Sequence, residues 1–191
     1  DTTGYALHKR GYREQANEAP IKETLAAAMV LLTPWREDRL MIDPFCGSGT
    51  ILIEADMIGL NMAPGLNRDF MAEKWEITPK KLWEKAREDA RGKIRTDVKL
   101  TLQGYDVDEK VLRVARNNAR LAGVENHIHF QKRDMKELSS GDRYGFIVTN
   151  PPYGERLQDR KSVEMLYKDM GKVFSKLDTW SFYVITAHEG F

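Results

Sequence analysis

Cysteine is almost absent from this chain of 191 residues, and the single thiol of Cys46 cannot form a disulfide within it. A lone thiol fits the reducing cytosol, where disulfides are rare. No apolar run approaches the ~20 residues that cross a bilayer, and the opening DTTGYALHKRGYR has no apolar signal-peptide segment. The sequence therefore predicts a cytoplasmic protein.

An excess of one charge is also lacking. The chain has 30 Lys and Arg against 29 Asp and Glu, a net charge of +1. A nucleic-acid surface would therefore have to come from local clusters of cations. The segment 74–95, with Trp75 and Trp83, is one candidate, although a solvated amphipathic helix explains it equally well. Arg10 and Arg13 are another, unless they tie the N-terminal segment to the domain.

Metal-binding patterns are missing as well. The four histidines have none of the spacings typical of metal ligands: His8, His127, His129 and His188. We therefore predict no metal site. Cys46 lies inside a glycine-rich turn, where a small packing residue is a simpler interpretation than a nucleophile.

What the chain does have is a regular alternation of strand and helix patterns. Helical spacing of apolar residues separates short apolar runs of strand length. This alternation predicts an α/β fold, a doubly wound and mostly parallel sheet with helices on both faces. The predicted strands lie at 39–45, 99–106, 127–134, 144–150 and 180–186, and the predicted helices at 21–32, 51–60, 78–94, 108–123 and 162–177.

Four of the predicted strands end in a polar side chain: Asp43, Asp106, Asp134 and Asn150. In doubly wound sheets, ligands bind beyond the carboxyl ends of the strands. We therefore expect these four side chains to meet at one edge of the sheet and to form a site.

The glycine-rich turn DPFCGSGT (43–50) follows the first strand. It lacks the lysine of a P-loop, and Leu52 stands where a dinucleotide fingerprint has its third glycine. Asp106 could accept hydrogen bonds from both ribose hydroxyls, and Asp134 could accept one from an adenine amino group. The ordered set predicts an adenosyl ligand with no phosphate requirement, such as S-adenosylmethionine.

The stretch TNPPYG (149–154) ends the fourth strand. Pro151 and Pro152 have no N–H and end strand pairing, so a simple turn is one interpretation. It leaves Asn150 and Tyr153 unexplained. The Asn150 side-chain oxygen and the Pro151 carbonyl could accept hydrogen bonds from an exocyclic amine and free its lone pair, while Tyr153 could stack on the ring. This pattern predicts methyl transfer to an amino group.

These motifs resemble those of class I S-adenosylmethionine-dependent methyltransferases. DPFCGSGT is similar to the family's cofactor loop, GYDVD and RDM to its ribose and adenine strand ends, and TNPPYG to its amino-methyltransferase motif. The stretch LHKRGYREQANEAPIKETLAAAMV, together with NPPYGERL, resembles the bacterial THUMP-containing 23S ribosomal-RNA guanine-N2 methyltransferases.

The resemblance implies a Rossmann-like catalytic domain over 19–191 without its last hairpin, and a tail over 1–18 that follows an RNA-binding THUMP domain. Ribosomal RNA is the expected substrate. Asn150, Pro151, Pro152 and Tyr153 are the expected catalytic residues. The expected cofactor-binding residues are Ala19, Pro20, Ile21, Asp43, Pro44, Phe45, Cys46, Gly47, Ser48, Gly49, Thr50, Asp106, Val107, Asp134, Met135 and Asn150.

The Asn-Pro-Pro-Tyr motif does not by itself identify the amine. Enzymes that methylate a protein glutamine at N5 or DNA adenine at N6 use the same four residues. A catalytically silent RNA-binding module is a third alternative, although both motifs are intact here.

Overall fold

A computed structural model of the chain describes residues 1–13, 20–152 and 160–188. Two predicted site residues, Ala19 and Tyr153, lie outside these ranges. In the described part, helices and strands alternate: α1 Glu23–Leu31, β1 Met41–Asp43, α2 Thr50–Gly59, α3 Lys80–Arg91, β2 Leu102–Asp106, α4 Glu109–Ala122, β3 Ile128–Lys132, β4 Phe146–Thr149, α5 Arg160–Phe174 and β5 Ser181–Val184. Two short 3-10 turns, Met71–Lys74 and Met135–Glu137, complete the set.

The five strands form one parallel sheet in the order β3-β2-β1-β4-β5. The predicted parallel α/β architecture is confirmed, and each predicted strand contains an observed one. β1 pairs with β2 on one side and with β4 on the other, so the winding reverses at this central strand. A crevice at such a reversal is where ligands of doubly wound sheets bind.

Burial follows position in the sheet. The central strands β1 and β4 are buried at every residue, whereas the outer strands β3 and β5 keep exposed or half-buried positions. Nine of the ten residues of α2 are buried, because this helix packs against the sheet and against α1 and α4. The element that follows the glycine-rich turn is thus held on all sides.

Two apolar clusters form the core. The larger lies around α1, α2 and α4 and includes Leu52 and Leu112, both fully buried. The smaller packs α5 against the sheet through Met170 and Ile147. Layers on the two sides of the sheet hold its carboxyl edge in a fixed position.

Helix α4 has the ends that its sequence predicts. The Asp108 side chain accepts a hydrogen bond from the Lys110 amide at 2.8 Å, and Gly123 follows the helix with φ 76°. α3 differs, because none of its residues is buried. Every residue of α3 is exposed or half-buried, which is compatible with both predicted roles, a solvated helix and a contact for RNA phosphates.

The N-terminal segment packs against the domain. Tyr12 is 1% exposed, and its hydroxyl donates to Glu54 of α2 at 3.0 Å. Arg10 pairs with Glu54 at 3.4 Å, and Arg13 lies 3.6 Å from Glu23 of α1. Of the two interpretations of these arginines, the structure therefore supports attachment to the domain. Among the described residues, no helix is long and apolar enough to cross a membrane.

Candidate active site

A cavity of about 230 Å³ opens at the carboxyl ends of β1, β2 and β4. The sequence-predicted residues that line it come from every motif but the adenine strand end: Pro20, Ile21, Asp43, Phe45, Cys46, Gly47, Ser48, Thr50, Asp106 and Asn150. The fold thus brings together the glycine-rich turn, the second strand end and the start of TNPPYG, which are far apart in sequence.

Asp43 ends β1 at the bottom of the cavity and is 1% exposed. Its carboxylate accepts a hydrogen bond from the Thr149 hydroxyl at 2.6 Å and from the Phe45 amide at 3.1 Å. Burial, the largest influence, and the nearby Asp106 carboxylate raise the pKa of Asp43 to about 7, against the lowering effect of the hydrogen bonds from Thr149 and Phe45. The bond to Thr149 ties the ends of β1 and β4 together.

The glycine-rich turn needs two left-handed residues, Gly47 at φ 51° and Gly49 at φ 82°. A Cβ atom on Gly49 would lie 2.9 Å from the Phe130 ring, so the turn packs closely there. A Cβ on Gly47 would meet nothing within 4 Å, and Gly47 lines the cavity. The backbone at Gly47 therefore leaves room for a ligand to approach closely.

Asp106 ends β2 opposite this turn. One carboxylate oxygen accepts a hydrogen bond from the Gly47 amide at 3.1 Å, and the other accepts one from the Asp108 amide at 3.0 Å. Each carboxylate oxygen has two acceptor sites, so both can accept a further hydrogen bond. The two backbone amides fix the carboxylate in place at the mouth of the turn.

Asn150 follows β4 and is half-buried in the lining of the cavity. Pro151 is buried, while Pro152 is exposed and its carbonyl accepts a hydrogen bond from the Tyr167 hydroxyl at 3.1 Å. The strand ends at Thr149, as the two prolines predict. Tyr167 of α5 thus anchors the backbone that leaves the site.

Arg13 connects the N-terminal segment to the cavity wall. Its guanidinium donates to the Thr50 hydroxyl at 2.5 Å and to the Ile21 carbonyl at 3.1 Å. Both acceptor residues line the cavity. The sequence pattern indicated no role for Arg13 at this site, because its partners lie 8 and 37 positions away.

Asn118 supports the turn from beneath. This residue of α4 is fully buried, and its side-chain amide donates to the Ser48 carbonyl at 3.1 Å. The sequence did contain a signal for Asn118, because it is a polar residue on the helix face that is otherwise apolar and buried. Ile51 and Val111 also line the cavity and were missed. Each lies in the first turn of the helix that follows a predicted site motif.

Several predicted cofactor residues do not line this cavity. Pro44 and Gly49 are buried beside it. Val107 is 61% exposed, and Met135 is 2% exposed within the smaller core cluster. Asp134 is exposed at the edge of the sheet, where its side chain accepts a hydrogen bond from the Lys136 amide at 2.9 Å.

Burial decides the chemistry of Cys46. The side chain is 6% exposed, and burial, followed by the carboxylates of Asp43 and Asp106, raises the pKa of the Cys46 thiol well above its usual value. A neutral thiol is a poor nucleophile. In residues 1–13, 20–152 and 160–188, no three His, Cys, Asp or Glu side chains are grouped as metal ligands would be.

A parallel sheet that reverses at β1, with a glycine-rich turn after β1 and a carboxylate after β2, defines a Rossmann-like domain of the methyltransferase type. The comparisons agree on the class. The family described as the RMKL-like methyltransferase domain matches residues 10–191, so the chain belongs to that family.

Three known proteins are similar to this chain over most of its length. YpsC of Bacillus subtilis (strain 168), named provisionally as an RNA methyltransferase, is 51% identical over all of this chain and half of its own length. Ribosomal RNA large subunit methyltransferase K/L of Aliivibrio salmonicida (strain LFI1238) is 43% identical over 90% of the chain and 25% of its own length. The crystal structure of SMU.472, provisionally a methyltransferase and complexed with SAH, has a TM-score of 0.92 and 45% identity, covering 97% of this chain and 48% of its own.

The chain therefore spans half of one of these curated relatives and a quarter of the other.

Proposed function

We propose that this domain binds S-adenosylmethionine in the cavity between β1, β2 and β4 and transfers its methyl group to an exocyclic amine of RNA. The observation that carries the proposal is the position of Asn150. It lines the same cavity as the glycine-rich turn and Asp106, so a group that polarises an amine and a group that binds an adenosyl ligand share one space.

The residues present fit the cofactor. The open space over Gly47 leaves room for the ligand against the backbone, and Asp106 is fixed by two amides with acceptor sites to spare. Asp106 would hold the ribose hydroxyls, and Phe45 and Val111 would supply apolar contacts. Asp134 and Val107, at the exposed end of the same edge, would reach the adenine. Bound S-adenosylmethionine would supply a methyl group on a positively charged sulfur: the sulfur–methyl bond would break as the nitrogen–methyl bond forms, and the nitrogen would then lose one proton to water.

The residues of this chain act on the amine and its position. An exocyclic amine is a weak nucleophile, because its lone pair is delocalised into the ring. The Asn150 side-chain oxygen and the Pro151 carbonyl would each accept a hydrogen bond from one of its two N–H groups and localise that lone pair. Thr149, through its bond to Asp43, and Tyr167, through the Pro152 carbonyl, hold this backbone in place. Catalysis then comes from positioning and from hydrogen bonding to the reacting group.

Guanine N2 of large-subunit ribosomal RNA is the amine that we propose. Support comes from the rRNA large-subunit name of a 43% identical relative and from the sequence resemblance described above. A base in folded RNA must leave its stack to reach such a cavity. We further propose that an RNA-binding domain of the THUMP type precedes this one in the complete, cytoplasmic protein.

Methyl incorporation decides the substrate. The full-length protein is incubated with S-adenosylmethionine carrying a labelled methyl group and, separately, with unmodified ribosomal RNA, DNA and release factor. Digestion and nucleoside analysis of the RNA should give N2-methylguanosine. The Asn150→Ala variant is the control for transfer at this cavity.

Each other product would revise the proposal in a defined way. N6-methyladenine in DNA or N5-methylglutamine in protein would replace the substrate and keep the mechanism. Binding of SAH with no transfer to any of the three acceptors would refute the proposed enzyme activity.

A further inference from the structure

A second cavity, of about 490 Å³, lies between the N-terminal segment and the residues Arg68 and Asp69. It is distinct from the cofactor cavity. Arg13 lines the second cavity, and its guanidinium contacts Thr50 and Ile21, which line the first. One arginine side chain therefore lines the second cavity and contacts two residues that line the first.

The wall of this second cavity is firmly held. Arg68 is 9% exposed, and its guanidinium NH1 and NH2 groups donate hydrogen bonds only to backbone carbonyls of the N-terminal segment, those of Thr3, Tyr5, Ala6 and Lys9, at 2.6 to 3.3 Å. Gly11 closes the segment with φ 97°, at a point where a Cβ atom would lie 2.0 Å from the Asn67 carbonyl oxygen. These contacts hold the backbone of the N-terminal segment against Asn67 and Arg68.

The charge of the cavity is positive. Four cationic side chains line it, against the two carboxylates of Glu23 and Asp69. Glu54 pairs with Arg10, which still leaves four cations against three carboxylates. Within the described part of the chain, neither Arg68 nor Lys9 has a carboxylate within ion-pair distance. An anionic ligand would add countercharge to these two cations.

An exposed aromatic ring stands beside these cations. Tyr5 is 72% exposed, and the Lys9 ammonium lies 5.4 Å from the centre of its ring. Proteins that bind single-stranded nucleic acids combine a positive groove for the phosphates with aromatic rings on which bases stack. A cavity of this volume exceeds the size of a lone inorganic anion and suits a nucleotide.

We propose that this second cavity binds one nucleotide of the RNA strand, with its base on the Tyr5 ring and its phosphate beside Lys9. The inference rests on the proposed function, because it takes RNA as the substrate. A strand whose target base enters the cofactor cavity would continue past Arg13 into this one. The N-terminal segment then orients the substrate, in addition to joining the domain.

The test uses the full-length protein and a short labelled single-stranded RNA of mixed sequence, with an abasic strand of equal length as the second probe. Tyr5→Ala should weaken binding of the intact RNA about tenfold and leave the abasic strand unaffected. Lys9→Gln should reduce the slope of log K against log salt by about 0.7 for both strands. Affinity for SAH should stay unchanged in both variants.

Matched controls come from the amino end of the sheet. Tyr144 is 53% exposed with Arg39 5.3 Å from its ring, and Lys99 is exposed just before β2. Tyr144→Ala and Lys99→Gln should bind both strands like the parent.

If Tyr5→Ala and Lys9→Gln match these controls while the parent methylates RNA, the nucleotide site is refuted and the proposed function stands. If the parent neither binds nor methylates RNA, the proposed function fails and this inference fails with it.

Discussion

Replacing Asp106 by alanine tests the proposed ribose contact. The substitution removes the acceptor for the Gly47 amide at 3.1 Å and the Asp108 amide at 3.0 Å, together with the proposed acceptor for two ribose hydroxyls. Hydrogen bonds to a charged group contribute roughly 1.5–3 kcal/mol each. Two lost ribose bonds therefore correspond to about 3 kcal/mol or more, which is at least a hundredfold weaker binding at about 1.4 kcal/mol per tenfold.

Calorimetry with SAH measures the affinity, and an SAH analogue without ribose hydroxyls separates the direct contact from a disturbed turn. The parent protein should bind the analogue much more weakly than SAH, whereas Asp106→Ala should bind the two alike. Asp108→Ala is the control. It removes a neighbouring carboxylate and the cap of α4, which costs about 1 kcal/mol of stability, but it should still distinguish the two ligands. If Asp106→Ala retains the same preference for the hydroxyls as the parent, Asp106 does not hold the ribose.

Three further substitutions test other parts of the structure. Asn150→Ala should keep the affinity for SAH and lower kcat by at least a hundredfold, because the proposed role of its oxygen is to accept a hydrogen bond from the amine as the transition state forms; a rise in KM with unchanged kcat would assign Asn150 to substrate binding alone. Gly11→Ala should lower the free energy of unfolding by about 3 kcal/mol, through strain at φ 97° and the clash with Asn67, whereas Gly141→Ala, with open space around its Cβ, should change it little in thermal denaturation. Asp43→Asn tests the buried carboxyl: burial raises its pKa from about 3.9 in the unfolded chain to about 7, so its protonation favours the folded state at low pH and this contribution is lost as the pH rises through 7. The variant should therefore gain stability relative to the parent between about pH 5 and about pH 8 in urea denaturation, and an equal difference at both pH values would show that Asp43 titrates normally.

The sequence predicted those features of the fold that depend on neighbouring residues. Apolar runs bounded by Asp-Pro or Asn-Pro predicted β1 and β4, and Asp108 and Gly123 predicted the ends of α4, because strand and cap signals depend on neighbouring residues. The order of the strands did not follow from these signals, since parallel neighbours are joined through long crossovers. The family resemblance implied a Rossmann-like domain, and the order β3-β2-β1-β4-β5 comes from the structure.

Site residues that belong to a recognisable motif were predicted. Those that reach the site through contacts far away in the sequence were missed. Asp43 and Asp106 end strands, Gly47 lies in the turn between β1 and α2, and all three were predicted as site residues. Arg13 contacts Thr50 across 37 positions, and no local pattern reports such a contact. Val107 lies before α4 and is 61% exposed, whereas Val111 in the first turn of α4 lines the cavity, and spacing alone does not determine this difference.

The ion pairs of the N-terminal segment bear on how such domains can be exchanged between proteins. Glu23 and Glu54 are both about 3% exposed or less, and their cations, Arg13 and Arg10, come from the segment before residue 14. A fusion joint placed at residue 18 would remove both cations and the Tyr12 hydroxyl from these carboxylates, and breaking a buried pair costs about 3–5 kcal/mol where the carboxylate stays buried. A recombined protein that receives this domain should therefore be more stable when residues 10–13 come with it. The domain that can be exchanged then begins before α1, inside the segment 1–18 that the sequence predicted to be a tail.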